Sequence, residues 1–248
     1  MLARYVLLAG VAYVIFWRWC KDYWQSRRVQ QKFPENKHLY TEIKYSLLTC
    51  VVFAGVMFGI YLAREAGYTR IYTNLADHSW SYLVFSVLAI IVAHDAYFYW
   101  MHRFMHLPKV FKYVHRVHHL SHNPSPWAAF AFHPLEALIE AGILPLVVFV
   151  MPMHPVAIGI FLMYMMVINV IGHLGYELFP SKLLKHPVGK WQNTSTSHNM
   201  HHQYGRSNYG LYFTFWDKMM GTEHPKYEER FEEVTQGKKP KKAVKEAA

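Results

Sequence analysis

Apolar stretches long enough to cross a lipid bilayer are the feature that most limits how this chain can fold. A membrane-spanning helix needs about 20 apolar residues, because its backbone polar groups must bond within the helix. About five segments approach this requirement: residues 2–19, 46–63, 80–100, 137–150 and 156–171. The sequence therefore predicts an all-α, integral-membrane helical bundle with about four to five membrane segments.

Two details of these segments affect the topology. Residues 137–150 and 156–171 are short for a full crossing, and the linker between them has no strong charge, so a membrane hairpin and two tilted spans both fit. Residues 2–19 also resemble a signal peptide. They lack a small-residue cleavage site and end in tryptophan and basic residues, so we expect a retained span.

The distribution of lysine and arginine predicts the orientation. Residues 18–44 carry seven of these cations and residues 102–134 carry four, but residues 64–79 carry only two. Twelve more follow residue 171. The positive-inside rule then places the amino terminus outside and residues 101–134 in the cytoplasm, with the carboxy-terminal part if the two short segments form a pair. A bacterial inner membrane and the endoplasmic reticulum both fit this orientation.

The net charge of +10 is explained by the same rule. A nucleic-acid-binding protein would need a soluble basic face, which the apolar segments exclude. No Pro/Gly/Ser-rich linker divides the chain, so we expect one catalytic domain over residues 80–226. Membrane segments and a basic cytoplasmic loop would precede it over residues 1–79, and a basic, disordered tail would follow over residues 227–248.

The chain has 17 histidines but only two cysteines, and the histidines form three clusters. Spacings of three and four residues place side chains on one face of a helix. Neutral imidazole is a good ligand for iron, zinc or copper, whereas scarce cysteine argues against iron–sulfur clusters and thiolate zinc. Eight imidazoles exceed the capacity of one ion, so we expect two. The predicted ligands are His102 and His106, then His115, His118 and His119, and finally His198, His201 and His202.

A solvated basic helix would explain the second cluster alone. The spacing H-x-x-H-H, however, recurs about 80 residues later, on the same predicted side of the membrane as His102 and His106. This repetition favours a cytoplasmic, helical, histidine-rich site for two metal ions that caps the bundle.

Two further residues at a membrane exit fit a metal site. His173 and Glu177 follow the last apolar segment at a spacing of four, so both are expected within reach of a metal. His122 continues the predicted ligand face of the second cluster, as a ligand or as support for one. His133 has three candidate roles: a metal ligand, a hydrogen-bond donor that supports a ligand, or the first residue of a helix.

Two more candidates precede the first cluster. Asp95 lies on one helical stripe with His102 and His106, about two turns before His102, so it would steady another ligand or a supporting histidine. His94 lies about 80° around that helix from His102, where a packing histidine is expected.

The three histidine boxes resemble, in order and spacing, those of the fatty acid hydroxylase/sterol desaturase superfamily of membrane non-haem di-iron enzymes. The resemblance covers about residues 80–222. Residues 95–103 are similar to the approach to the first box, and residues 131–136 and 208–222 are similar to the sterol desaturase branch. Residues 172–177 resemble a segment of sterol methyl oxidases and hydroxylases in which the histidine belongs to an additional ligand motif.

The resemblance implies that the eight box histidines bind two irons, that His173 is a ninth ligand, and that no catalytic residue exists apart from the ligands. Some relatives have a second histidine where this chain has Glu177, so its role stays open. The implied reaction removes hydrogen from an unactivated C–H bond of a sterol or fatty-acyl-type lipid with O2, giving hydroxylation or desaturation. Electrons would come from NAD(P)H through a separate cytochrome b5-, ferredoxin- or rubredoxin-like carrier, since the chain has no Rossmann fingerprint or haem motif.

Other functions use the same histidines. A metal transporter would place its ligands near the middle of the membrane, whereas these boxes lie at the ends of predicted spans. A membrane zinc hydrolase would differ in its metal content and would not need oxygen. A non-catalytic relative would have no reason to keep every box intact.

Overall fold

The computed structural model describes residues 1–238, and across them the protein is helical, with three isolated β-bridges and no β-strand. The prediction of an all-α fold is confirmed. The α-helices are α1 (Leu2–Ala12), α2 (Lys21–Trp24), α3 (Asn36–Glu65), α4 (Trp80–Met105), α5 (Pro108–Phe111), α6 (Pro134–Ala141), α7 (Ile143–Val150), α8 (Pro155–Gly172), α9 (Ser195–Tyr204), α10 (Phe215–Met219) and α11 (Tyr227–Thr235).

Four helical segments in the described part of the chain are long and apolar enough to cross a membrane. The first joins α1 to a π-helical continuation, Tyr13–Trp19, and the others are α3, α4 and α8. Only 17–33% of each apolar window is buried inside the protein, so most of this surface is available to lipid. These helices agree with a multi-pass membrane protein.

The remaining apolar segment, residues 137–150, is not one span, because it breaks at Gly142 between α6 and α7. The Tyr97 hydroxyl donates to the Ile139 carbonyl at 2.6 Å, where the backbone N–H of Gly142 also donates. A Cβ atom on Gly142 would lie 2.5 Å from that hydroxyl. Glycine therefore permits the close approach of α4 that accompanies the break.

The long helices pack around two apolar cores. In the first, α4 packs against α7 and α8 through side chains such as Ile90, Val148 and Phe161. In the second, α3 packs against α6 and a 3₁₀ segment, Pro126–Phe130. Tyr5 stacks on Phe130 with ring centroids 5.7 Å apart, which attaches the first span to this core. The ends of α4 and α8 thereby meet the loops that carry the histidine boxes.

Residues 227–235 correct the expectation of a disordered tail from residue 227. They form α11, which packs on α9 and buries Tyr227, Phe231 and Val234. These apolar side chains repeat at intervals of four and three, which is one face of a helix. Residues 239–248 of the expected tail lie outside the described residues.

Candidate metal centre

Nine histidines converge at the ends of α4 and α8 and form two adjacent groups. Within each group, one nitrogen from every ring lies within 4.8 Å of the others. The rings of His119 and His202, one from each group, are 5.0 Å apart. Group A contains His102, His106, His115, His119 and His201, and group B contains His118, His173, His198 and His202.

The first box supplies group A only. His102 lies in the last turn of α4 and His106 is its C-cap residue, so the spacing of four places both rings on one side of the helix end. Their ring centroids are 5.1 Å apart. The sequence-based prediction that this pair would approach one ion agrees with their place in one group.

The second and third boxes are each divided between the groups. His118 begins a 3₁₀ turn, His118–Leu120, after a run of turns, so the regular helix predicted for the second box was wrong. As a result His115 and His119 face group A whereas His118 faces group B. His122, which the helical face would have included, is exposed and outside both groups.

Helix α9 divides the third box. His198 and His202, four residues apart, share the face toward group B, and His201 lies on the flank toward group A. The Thr194 side chain caps α9 by accepting from the Ser197 backbone N–H at 3.2 Å. Thr194 is therefore the N-cap residue of α9.

The Nε2 atoms in each group have the separation of ligands around one cation. In group A, His102 and His115 are 3.1 Å apart, and His119 and His201 are 3.0 Å apart. A metal–imidazole bond of about 2.1 Å places neighbouring nitrogens roughly 3.0 Å apart at right angles and roughly 3.4 Å apart at tetrahedral angles. In group B, the Nε2 atom of His173 lies 3.3, 3.1 and 3.2 Å from those of His118, His198 and His202.

The tautomers of the histidine rings also indicate that each group can bind a cation. The Nδ1 atoms of His102 and His115 donate to oxygen acceptors, so in the neutral rings both facing Nε2 atoms carry lone pairs. The Nδ1 of His173 likewise donates to the Asn169 carbonyl at 2.8 Å, which leaves a lone pair on the Nε2 atom that faces group B. Converging lone pairs repel each other unless a cation lies between them, so the residues fit metal ions.

Burial keeps these rings neutral. Removal from water lowers the pKa of His173 and of His201 to about 4, and it lowers the pKa of His106 and His115 further, with help from neighbouring histidines. The same causes lower the pKa of His118, His119, His198 and His202. Neutral imidazole is the form that coordinates a metal.

Glu136 is a functional residue that the sequence analysis missed. It lies in the first turn of α6, and its Oε1 accepts from His115 Nδ1 at 2.7 Å. Both side chains are almost fully buried. The Glu136 Oε2 atom has no partner among the described residues, so this buried carboxylate needs nearby positive charge. Its sequence signal was weak: it is the first acidic residue after Asp95.

Glu177 lies outside both groups. Its Oε1 accepts from the Phe179 backbone N–H, and its Oε2 accepts from the backbone N–H and the hydroxyl of Thr196, at 3.0, 2.9 and 2.6 Å. The Glu177 carboxylate therefore supports the start of α9 and is not within reach of the nitrogens of either group. His133 is likewise the N-cap of α6, and its Nδ1 accepts from the Leu135 backbone N–H at 3.3 Å.

Asp95 and His94 hold the loop after the third box. Asp95 Oδ1 accepts from the backbone N–H groups of Tyr212 and Phe213, both at 3.1 Å. His94 Nδ1 lies 2.8 Å from the Tyr212 hydroxyl, in a ring cluster with Phe161. Both are buried supports outside the metal groups, as expected for His94.

Comparison with known proteins agrees with this architecture. The chain is 28% identical over 220 residues to a Delta(7)-sterol 5(6)-desaturase of Gibberella zeae, a match that covers 88% of this chain and 64% of the relative. It is 32% identical over 202 residues to a Delta(7)-sterol 5(6)-desaturase of Aspergillus fumigatus, covering 73% and 61%. It is also 32% identical over 170 residues to the lathosterol oxidase of Mus musculus, covering 67% and 55%.

The chain thus aligns with less than two thirds of the length of these relatives. No solved structure matches it significantly. The family profile named Fatty acid hydroxylase matches residues 87–222, more than half of the chain and all nine histidines of the two groups. The chain therefore belongs to the fatty acid hydroxylase family, in the fatty acid hydroxylase/sterol desaturase superfamily that its histidine boxes resemble.

Proposed function

We propose that the protein is a membrane di-iron enzyme that uses O2 to desaturate or hydroxylate a lipid at an unactivated C–H bond. The observation that carries the proposal is the convergence of nine imidazoles in adjacent groups of five and four. The two irons, when bound, would supply the oxidising power. The protein supplies the ligands, fixes their rings and keeps the site away from water.

The donor set favours iron over zinc. Zinc in proteins takes about four ligands in tetrahedral geometry, whereas group A offers five imidazoles. Imidazole also suits iron, which supports the oxygen chemistry expected of the family. A zinc hydrolase or a zinc transporter would leave the fifth ligand of group A without a role.

The position of the site supports a lipid substrate. His118 packs against Phe132 with ring centroids 5.1 Å apart, and Phe132 belongs to the apolar core that contains Tyr5 and Val170. Group B therefore borders the apolar interior of the bundle. Because the relatives named above are sterol desaturases and a lathosterol oxidase, we propose a sterol-type lipid and desaturation first, with a fatty-acyl lipid and hydroxylation as the alternatives.

The side of the membrane is inferred from the distribution of charge, and the electron donor is inferred from the family resemblance. Lysine and arginine near the ends of the spans favour a cytoplasmic active site. We propose that electrons come from NAD(P)H through a separate cytochrome b5-, ferredoxin- or rubredoxin-like carrier.

The test combines metal content with product analysis. Protein purified in detergent after iron-supplemented expression should contain about two irons per chain by mass spectrometry. With a reducing system, O2 and a sterol mixture, it should yield a product that lacks two hydrogens, or one that has gained an oxygen. His118→Ala and His201→Ala should lose iron and product, whereas His38→Ala, outside both groups, should lose neither. Zinc alone, together with oxygen-independent hydrolysis, would overturn the proposal.

A further inference from the structure

The two histidine groups differ in how their outer nitrogens are held. In group A, three Nδ1 atoms donate to firmly placed acceptors: His102 to the Tyr209 carbonyl at 2.8 Å, His201 to the Ser207 carbonyl at 2.7 Å, and His115 to the Glu136 carboxylate at 2.7 Å. Each of these rings is therefore fixed in the tautomer that presents Nε2 to the centre of the group.

Group B has fewer such partners. Only His173 donates its Nδ1, to the Asn169 carbonyl at 2.8 Å. The Nδ1 atoms of the other three ligands are buried and have no hydrogen-bond partner among the described residues. Those three ligands are His118, His198 and His202.

We propose that the two metal ions are held unequally: group A retains its ion, and group B exchanges its ion readily. Glu136 is the positioning residue that contributes most to this difference in the rate of ion release. This inference rests on the proposed function, because it assumes that both groups bind iron. The Glu136 carboxylate would act through the ligand His115, which it contacts, and not by binding the metal.

Three physical effects favour tighter retention of the ion in group A than in group B. It offers five imidazoles against four, so its ion leaves only after more bonds break. Three of its rings are pre-oriented, and removing an outer partner of a histidine ligand typically lowers metal affinity about 10–100-fold. The Glu136 carboxylate also increases the basicity of His115, and its attraction to the cation is little screened because both side chains are buried.

Ion release from the loaded protein tests the proposal. Detergent-solubilised protein with two irons would be mixed anaerobically with excess chelator, and the iron left on the chain measured over time by mass spectrometry. We expect two phases of equal amplitude whose rates differ by about 10-fold or more. In the double variant His198→Ala/His202→Ala, which leaves two imidazoles in group B, the single remaining ion should leave slowly. In His102→Ala/His201→Ala, which leaves three imidazoles in group A and removes two of its held rings, the single remaining ion should leave quickly.

Glu136→Gln then isolates the carboxylate. Glutamine keeps the size and an accepting oxygen but removes the charge, so the slow phase should accelerate about 10-fold while the fast phase stays unchanged. Glu65→Gln, which changes an exposed carboxylate at the end of α3 outside both groups, is the control and should change neither phase. Thermal stability measured in parallel would identify a general loosening of the fold, which would accelerate both phases.

Failure of the proposed function and failure of the inference of unequal sites would give different results. If the unmodified protein binds no iron, the proposed function fails. If two irons bind but leave in a single phase, or if Glu136→Gln changes both phases or neither, only the inference of unequal sites is overturned.

Discussion

At the scale of single residues, Glu177 does not lie where its sequence spacing from His173 predicts. Its distance of four residues from His173 predicts a shared helical face. Helix α8, however, ends at Gly172, and Gly175 has a φ of +77°, so the chain turns between the two residues. The carboxylate consequently faces the start of α9, where it accepts from Thr196, while His173 faces group B.

We expect Glu177→Gln to keep both ions but to lower stability. A glutamine amide cannot accept hydrogen bonds through its nitrogen, so buried donors of Thr196 or Phe179 lose their partner, at a cost of about 1–3 kcal/mol. Iron per chain and the melting temperature in detergent would check this. His173→Ala is the comparison and should lose one ion, and loss of iron in Glu177→Gln would make the carboxylate a ligand.

The residues of the site were predictable to different degrees. The eight box histidines could be selected from their spacing, because repeated imidazoles in an apolar chain have few explanations other than metal. His173, the ninth member of the two groups, was expected as a ligand from the family resemblance. Their division between groups was not predictable, since it depends on the turn at His118 and on the orientation of α9. Glu136 was missed because its partner His115 is 21 residues away, with no periodic relation between them.

At the scale of elements, the loop between α9 and α10 connects the third box to the first. It supplies the carbonyls of Ser207 and Tyr209, which accept from His201 and His102. Asp217 holds the loop in place: its Oδ1 accepts from the Tyr209 N–H at 2.9 Å and its Oδ2 accepts from the Gly210 N–H at 2.7 Å. Asp95 holds the far end of the same loop. Two buried carboxylates thus hold the loop that supplies the acceptors of two group A ligands, and neither carboxylate belongs to a metal group.

Asp217→Ala should therefore weaken both the fold and group A. Each buried N–H that loses its acceptor costs about 1–3 kcal/mol, and a displaced Tyr209 carbonyl would release the ring of His102. We expect a lower melting temperature and faster loss of the slowly released iron. Asp217→Asn retains one accepting oxygen and should be intermediate. Unchanged stability in the alanine variant would contradict this role for the loop.

At the scale of the whole molecule, hydropathy predicted about four to five membrane segments, because a span must be apolar over its full length, and four of these segments form long helices. Hydropathy alone did not predict the break at Gly142, where Pro145 has no N–H to donate to the Ala141 carbonyl and the Tyr97 hydroxyl of α4 bonds to the Ile139 carbonyl. It also did not predict α11, whose buried face is hidden among acidic neighbours in the sequence.

Helix α11 supports the metal centre from outside, and this gives the last prediction. Phe231 is fully buried and packs with Tyr227 against Met200, which lies in α9 between His198 and His201. Phe231→Ala should cost about 3–5 kcal/mol of stability, because it leaves a cavity beneath α9. We expect a lower melting temperature and easier iron loss from both groups, since α9 supplies ligands to each. Glu228→Ala, on the exposed face of α11, is the matched control and should behave like the unmodified protein. An unchanged melting temperature in Phe231→Ala would mean that α9 holds its ligands in place without α11.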